Sequence, residues 1–190
     1  MLLSDRDLKK ALKNKKIIIK PFPDLKTQLG SCSIDLRLGN KFRVFEHSRF
    51  PYIDPYDKRF SQDATREEKV MDGVPFILQP QDFVLADTIE KITLPDDIVG
   101  RLEGRSSLGR LGIIVHSTAS VFEPGFSGKV IMELGNFGRM AVALYPGMRV
   151  CALTFETLSS PAQTPYSKKK SAKYMNQLAP EPSKIGEEIK

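Results

Sequence analysis

The chain has 190 residues, 41% of them apolar, and carries a formal net charge of +6 with a sequence pI near 9.3. That length supports one domain with a real core, and no apolar run approaches the roughly 18 residues that a membrane-spanning helix requires. Cys32 and Cys151 lie far apart in apolar contexts, which argues against a disulfide framework and for buried thiols. The opening MLLSDRDLKK has no apolar signal-peptide stretch before its charges, so a cytoplasmic protein is expected. The basic balance invites a polyanion. The Lys and Arg residues are mostly dispersed, with denser clusters at 13–20 and 168–173, so a phosphate-bearing small molecule, a nucleic acid and an ordinary basic surface all stay open. No aromatic-basic patch favours the nucleic acid.

In chain order, Ser4 reads as an N-cap with Asp7 three positions on, followed by Leu8, Ala11 and Leu12 at helical spacing. A β-branched run at 17–19, stopped by Pro21 and Pro23, predicts a strand and a loop. Residues 30–39 form a Gly-bounded strand with Ile34, Leu36 and Leu38 on one face and Asp35 and Arg37 on the other, where they can form a same-face or cross-strand ion pair. The next strand is predicted at 42–45. Residues 47–73 lack periodicity and read as an irregular excursion, with His47 on the surface.

Short strands follow at 76–78, 83–86, 88–92 and 98–102, and later at 140–145 and 148–155, separated by Pro- and Gly-bearing turns. A mainly β sandwich or barrel of jelly-roll type is the expected fold. From Ser159 the composition turns Ser-, Pro- and Lys-rich, so 1–158 reads as the domain and 159–190 as a tail able to fold over a ligand or a neighbour.

Candidate chemistry concentrates in 104–133. Residues 104–112 read as a short helical turn between glycines, with Ser106 and Arg110 on one face at i, i+4. Its free N–H groups, Ser hydroxyls and Arg105 suit a phosphate, and an ordinary capped turn fits the spacing equally. In 129–134, Val130, Met132 and Leu134 alternate with Ile131 and Glu133. Glu133 is then either on a solvent face or buried for proton transfer. The H-x-E…P-C-x-x-C pattern of zinc deaminases is absent, and two Cys with two His cannot build it.

The segments GRSSLGRLGIIVHSTA, EPGFSGKVIMEL, YPGMRVCALTF and SPAQTPYSKKKSAKYMNQ, in this order, resemble the dCTP deaminase family of the trimeric dUTPase-like superfamily. SCSIDLRLGNKF resembles that family's opening strand. The resemblance covers nearly the whole chain, most closely 100–177. It implies a distorted β-barrel or jelly-roll with short helices, a homotrimer with interface sites, and conversion of dCTP and water to dUTP and ammonia without zinc. Glu133 then matches the general acid/base, with Ser106 and Arg110 positioning the water and stabilising charge. Arg105, Ser107 and the backbone through Leu108 and Gly109 would hold phosphates, and Thr118 and Ala119 would read the base. Glu123 would meet the sugar, with Ile131 and Met132 beside it in the binding set. Tyr166, Lys173 and Gln177 match a lid from a neighbouring subunit that closes over the triphosphate and its Mg2+.

One departure stands out. The family usually has Asp before Pro-Gly, and this chain has Glu123; where bifunctional members tend to have Gly after Thr-Ala, it has Ser120. Three readings follow: a deaminase releasing dUTP, a bifunctional deaminase–diphosphatase acting on to dUMP and pyrophosphate, and a nucleotide-binding module without catalysis. dUTP and the inhibitor dTTP are further expected ligands. A nucleic-acid or membrane partner is not.

Overall fold

A computed structural model of the protein describes residues 1–46, 50, 52–57 and 63–188. His47 lies outside the described residues. The helix predicted near the start is α1 (Asp5–Lys13), with the Ser4 side chain accepting from the Asp7 amide at 3.4 Å. Its apolar stripe, Leu8, Ala11 and Leu12, is buried. Full burial of a Leu such as Leu8 stabilises the fold by about 1.5–3 kcal/mol.

The strands are β1 (Ile18–Lys20), β2 (Ser33–Phe45), β3 (Thr65–Lys69), β4 (Phe76–Leu78), β5 (Phe83–Thr93) and β6 (Ile98–Gly104). After the single turn α2 (Ser106–Gly109) come β7 (Ile113–Ile114), β8 (Val121–Phe122), β9 (Ser127–Asn136), β10 (Val142–Leu144) and β11 (Arg149–Thr157). Nine of these form one antiparallel sheet with the path β7-β9-β5-β2-β11-β6-β8, to which β1 adds on β5 and β3 on β2. β4 and β10 pair separately. The large sheet curls into a half-barrel, the mainly β fold expected.

Three predicted boundaries move. The strands expected at 30–39 and 42–45 are one continuous β2, and those at 83–86 and 88–92 are one continuous β5. Both strands carry register shifts, between Leu38 and Phe42 against β5 and between Asp87 and Lys91 against β9. A bulge lets a strand bend without ending, so Gly39 marks a kink rather than a terminus. A Cβ on Gly39 would fall 2.0 Å from Asp87 Oδ1. That carboxylate is fully buried and needs the space: it accepts from the Lys41 amide at 3.1 Å and pairs with Lys129 Nζ at 2.5 Å. The third change is β3, which lies inside the stretch expected to be irregular and pairs with β2 from Lys41 to Phe45.

The core lies on the inner face of the curl. Ile34, Leu36 and Leu38 of β2 and Val130, Met132 and Leu134 of β9 are all fully buried, as the alternation predicts. Asp35 and Arg37 share the opposite face but do not pair with each other. Arg37 Nε meets the buried Glu90 at 2.7 Å, and Asp35 turns to Arg105 and Arg149. Glu90 also accepts from Gln28 Nε2 at 3.0 Å and from the Arg37 amide at 2.8 Å. Buried charge is tolerated when it is paired and hydrogen-bonded in this way.

The tail does not drift from the domain. Tyr166 donates its amide to the Pro124 carbonyl at 2.7 Å, Asn176 to Ser127 at 2.7 Å, and Gln177 accepts from the Lys129 amide at 2.9 Å. It therefore runs along the start of β9.

Candidate active site

β9 builds the site from its outward face. Glu133 sits half-buried there, opposite the core-facing Met132 and Leu134. Its Oε2 accepts from the Ser117 amide at 2.7 Å and the Thr118 amide at 3.4 Å. Its own amide donates to the Val115 carbonyl at 3.1 Å. Residue 133 thus ties the 115–118 loop down through both main chain and side chain. This delivers the exposed Thr118 and Ala119 beside the carboxylate. His116 in the same loop is half-buried, and its Nδ1 has no hydrogen-bond partner among the described residues.

α2 supplies the second group. Arg110 Nε donates to Ser106 Oγ at 3.4 Å, the i, i+4 pair expected, and both side chains are exposed. Ser107 and Gly109 are exposed alongside. At four residues the helix is one turn, too short to sum a macrodipole. Any anion attraction there comes from side chains and individual N–H groups. Arg105 lies at its N-cap without capping it. Its guanidinium instead pairs with Asp35 at 3.1 Å and donates to the Arg149 carbonyl at 2.8 Å.

Two members of the expected binding set have core-facing side chains. The side chains of Leu108 and Met132 are buried in the core, the Leu108 amide donates to the Arg105 carbonyl at 2.9 Å, and Met132 lies in the β5–β9 ladder. An apolar side chain at these positions anchors α2 and β9 instead. Ile131, half-buried, shares the outward face with Glu133.

The third group joins the Glu123-Pro124-Gly125 turn to the tail. Lys169 Nζ meets Glu123 Oε2 at 2.5 Å, and the Tyr166 ring packs near Phe126 with centroids 5.9 Å apart. Tyr166 Oη accepts from the Tyr174 amide at 3.1 Å. Lys173 pairs with Glu188, and Gln177 is buried against β9. Among the described residues, no hydrogen bond links Tyr166, Lys173 or Gln177 to Ser106, Arg110 or Glu133. Sequence reasoning did not single out Ser117, Arg149 or Lys169, which the structure joins to Glu133, Asp35 and Glu123, nor the Asp35–Arg105 pair. The Asp35–Arg37 alternation was visible, but their partners come from β5, the N-cap of α2 and β11.

The sequence matches the dCTP deaminase-like family over residues 2–158. It is 62% identical over 189 residues to the dCTP deaminase of Thermomicrobium roseum, covering 100% of this chain and 96% of that one. It is 51% identical over 185 residues to the dUMP-forming dCTP deaminase of Dictyoglomus turgidum, covering 97% and 95%. The 2'-deoxycytidine 5'-triphosphate deaminase of Agrobacterium tumefaciens superposes with a TM-score of 0.63 at 20% identity. That superposition covers 80% of this chain and 45% of the Agrobacterium chain, so this chain spans less than half of that one. The curled antiparallel sheet is a dUTPase-like fold, and the relatives the chain matches make the protein an enzyme. Its residues place it further: the chain belongs to the dCTP deaminase family.

Proposed function

We propose that the protein deaminates dCTP to dUTP and ammonia and stops there. The observation that carries the reading is the Glu133 carboxylate fastened between β9 and the 115–118 loop, beside the separate Ser106–Arg110 pair on the α2 turn that this reading brings to the same substrate. Glu133 takes a proton from a water that attacks C4 of the cytosine, forming the C4–O bond. It passes that proton to the ring nitrogen N3, then takes the remaining proton from the C4 hydroxyl and delivers it to the leaving amine as the C4–N bond breaks and the C4 carbonyl forms. Ser106 orients the water, and Arg110 stabilises the charge that develops. Thr118 and Ala119 present backbone groups to the pyrimidine edge. Arg105 and Ser107 hold phosphates, and Tyr166, Lys173 and Gln177 close the tail over them.

Glu123 supports the dUTP product. Its carboxylate is engaged by Lys169, which leaves it less free to align a second water against the phosphates. The bifunctional reading keeps one specific support, the dUMP-forming name of the 51% identical Dictyoglomus relative. In this reading Mg2+ enters with the triphosphate. dTTP, sharing the sugar and polyphosphate, would compete for the same contacts. Leu111 and Phe137 are exposed just after α2, where the Phe137 amide donates to the Gly112 carbonyl, and a homotrimer would cover them and complete the site at subunit contacts. No helix among the described residues is long and apolar enough to cross a membrane.

The test is the product of dCTP turnover with Mg2+. Stoichiometric dUTP and ammonia are expected. Appearance of dUMP and pyrophosphate without free dUTP would establish the bifunctional reading instead.

A further inference from the structure

β11 opens on Arg149, and its register against β2 slips between Arg149 and Cys151. A bulge of this kind re-aims the side chain beside it. Arg149 Nη1 reaches Asp35 Oδ2 at 3.1 Å, and the same oxygen lies 3.1 Å from Arg105 Nε. Arg105 Nη1 donates to the Arg149 carbonyl, and Arg149 Nη1 donates to the Thr27 carbonyl. One carboxylate, 17% exposed, therefore bridges two guanidinium groups that are 24% and 41% exposed.

A single cation would already balance Asp35. The second leaves uncompensated positive charge directly before Ser106. Arg105 Nη2 and Arg149 Nε and Nη2 make no hydrogen bond to protein among the described residues. Two planar donor forks, pinned on one side and open on the other, match an anion whose charge is spread over several oxygens.

We propose that Arg149 binds the polyphosphate arm of the nucleotide together with Arg105, and that Asp35 is the positioning residue for both. The proposal rests on the reading that Arg105 faces the substrate phosphates. The bulge is what allows it: an unslipped register would carry residue 149 to the other face of the sheet.

The experiment uses the full chain with Arg149→Gln and Arg149→Lys, and the thermal midpoint of each variant verifies folding. Inorganic tripolyphosphate and deoxycytidine are titrated calorimetrically, and dCTP turnover is measured in parallel. For Arg149→Gln, tripolyphosphate binding should weaken about tenfold, the effect of losing one charge-assisted bidentate contact. For Arg149→Lys it should weaken roughly threefold, because charge remains but the fork is lost. KM for dCTP should rise in step with kcat unchanged, and deoxycytidine binding should not move. Tripolyphosphate affinity within twofold of wild type in Arg149→Gln overturns the proposal. So does equal weakening of deoxycytidine, which indicates general loosening, and so does failure of the wild type to bind tripolyphosphate. A wild type that binds tripolyphosphate but releases no ammonia from dCTP overturns the deaminase reading, and the tripolyphosphate comparison still decides the role of Arg149.

Discussion

Gly125→Ala separates the tail from the domain with one methyl group. Gly125 has φ +82°, and a Cβ there would lie 2.8 Å from Pro165 Cβ and 3.0 Å from Ser167 Oγ. Two effects follow. The left-handed conformation costs an L-residue about 1–2 kcal/mol, which lowers the thermal midpoint by about 2–8 °C in a chain of this size. The overlap falls on the tail alone, and overpacking of this kind costs about 1–3 kcal/mol. Relief comes by lifting 165–169 away, breaking the Tyr166–Pro124 bond and the Lys169–Glu123 pair. At about 1.4 kcal/mol per factor of ten, the open population rises roughly 5- to 150-fold. Limited trypsinolysis reads this directly at Lys168, Lys169 and Lys170, since cleavage tracks the open fraction when opening is fast. Cleavage should accelerate by that factor, and KM for dCTP should rise severalfold. A midpoint that falls while tail cleavage stays at the wild-type rate would refute the docking argument.

Glu90→Gln keeps the shape of a fully buried side chain but strands the Arg37 charge. Breaking such a pair costs about 3–5 kcal/mol, so chemical denaturation should show a loss of that order with little change in kcat of the folded fraction. Burial pushes the Cys151 thiol well up from its usual range, with the Glu90 and Asp35 charges adding to the effect. Native protein should therefore alkylate at the half-buried Cys32 first and at Cys151 only on unfolding. The folded state keeps the Cys151 proton while the unfolded thiol loses it above about pH 8.5, so stability falls as pH rises past that point by up to about 1.4 kcal/mol per pH unit. Cys151→Ala should flatten that slope in denaturation measured from pH 8 upward. Lys169→Met removes a half-exposed ion pair worth about 0.2–1 kcal/mol, so it should mimic Gly125→Ala weakly, with tail cleavage rising no more than about fivefold.

Local signals carried much of this fold. The cap and stripe of α1, the alternation of β9 and the outward direction of Glu133 all follow from residue spacing, because one buried face fixes them. β3 was not legible: TREEK has no apolar face, and it is a strand only because the edge of β2 offers partners. Gly39 was misread as a boundary because the reason for a glycine there, the buried Asp87 carboxylate, comes from another strand. The site divides the same way. Ser106 and Arg110 meet within one helical turn and could be paired on spacing. The amides that hold Glu133 and the bulge that brings Arg149 to Asp35 arise from contacts between distant segments, which no local pattern records.

The central claim rests on Glu133 as the proton carrier, and Glu133→Gln tests it most directly. The Gln carbonyl can still accept from the Ser117 and Thr118 amides, so the 115–118 loop stays in place while the ionisable group is lost. Ammonia release from saturating dCTP is compared in wild type and variant, with dCTP binding measured alongside. The account predicts unchanged binding within a few-fold and a fall in kcat of roughly 10²–10⁴, the range set by removing a general acid/base. Turnover by Glu133→Gln at the wild-type rate would contradict it.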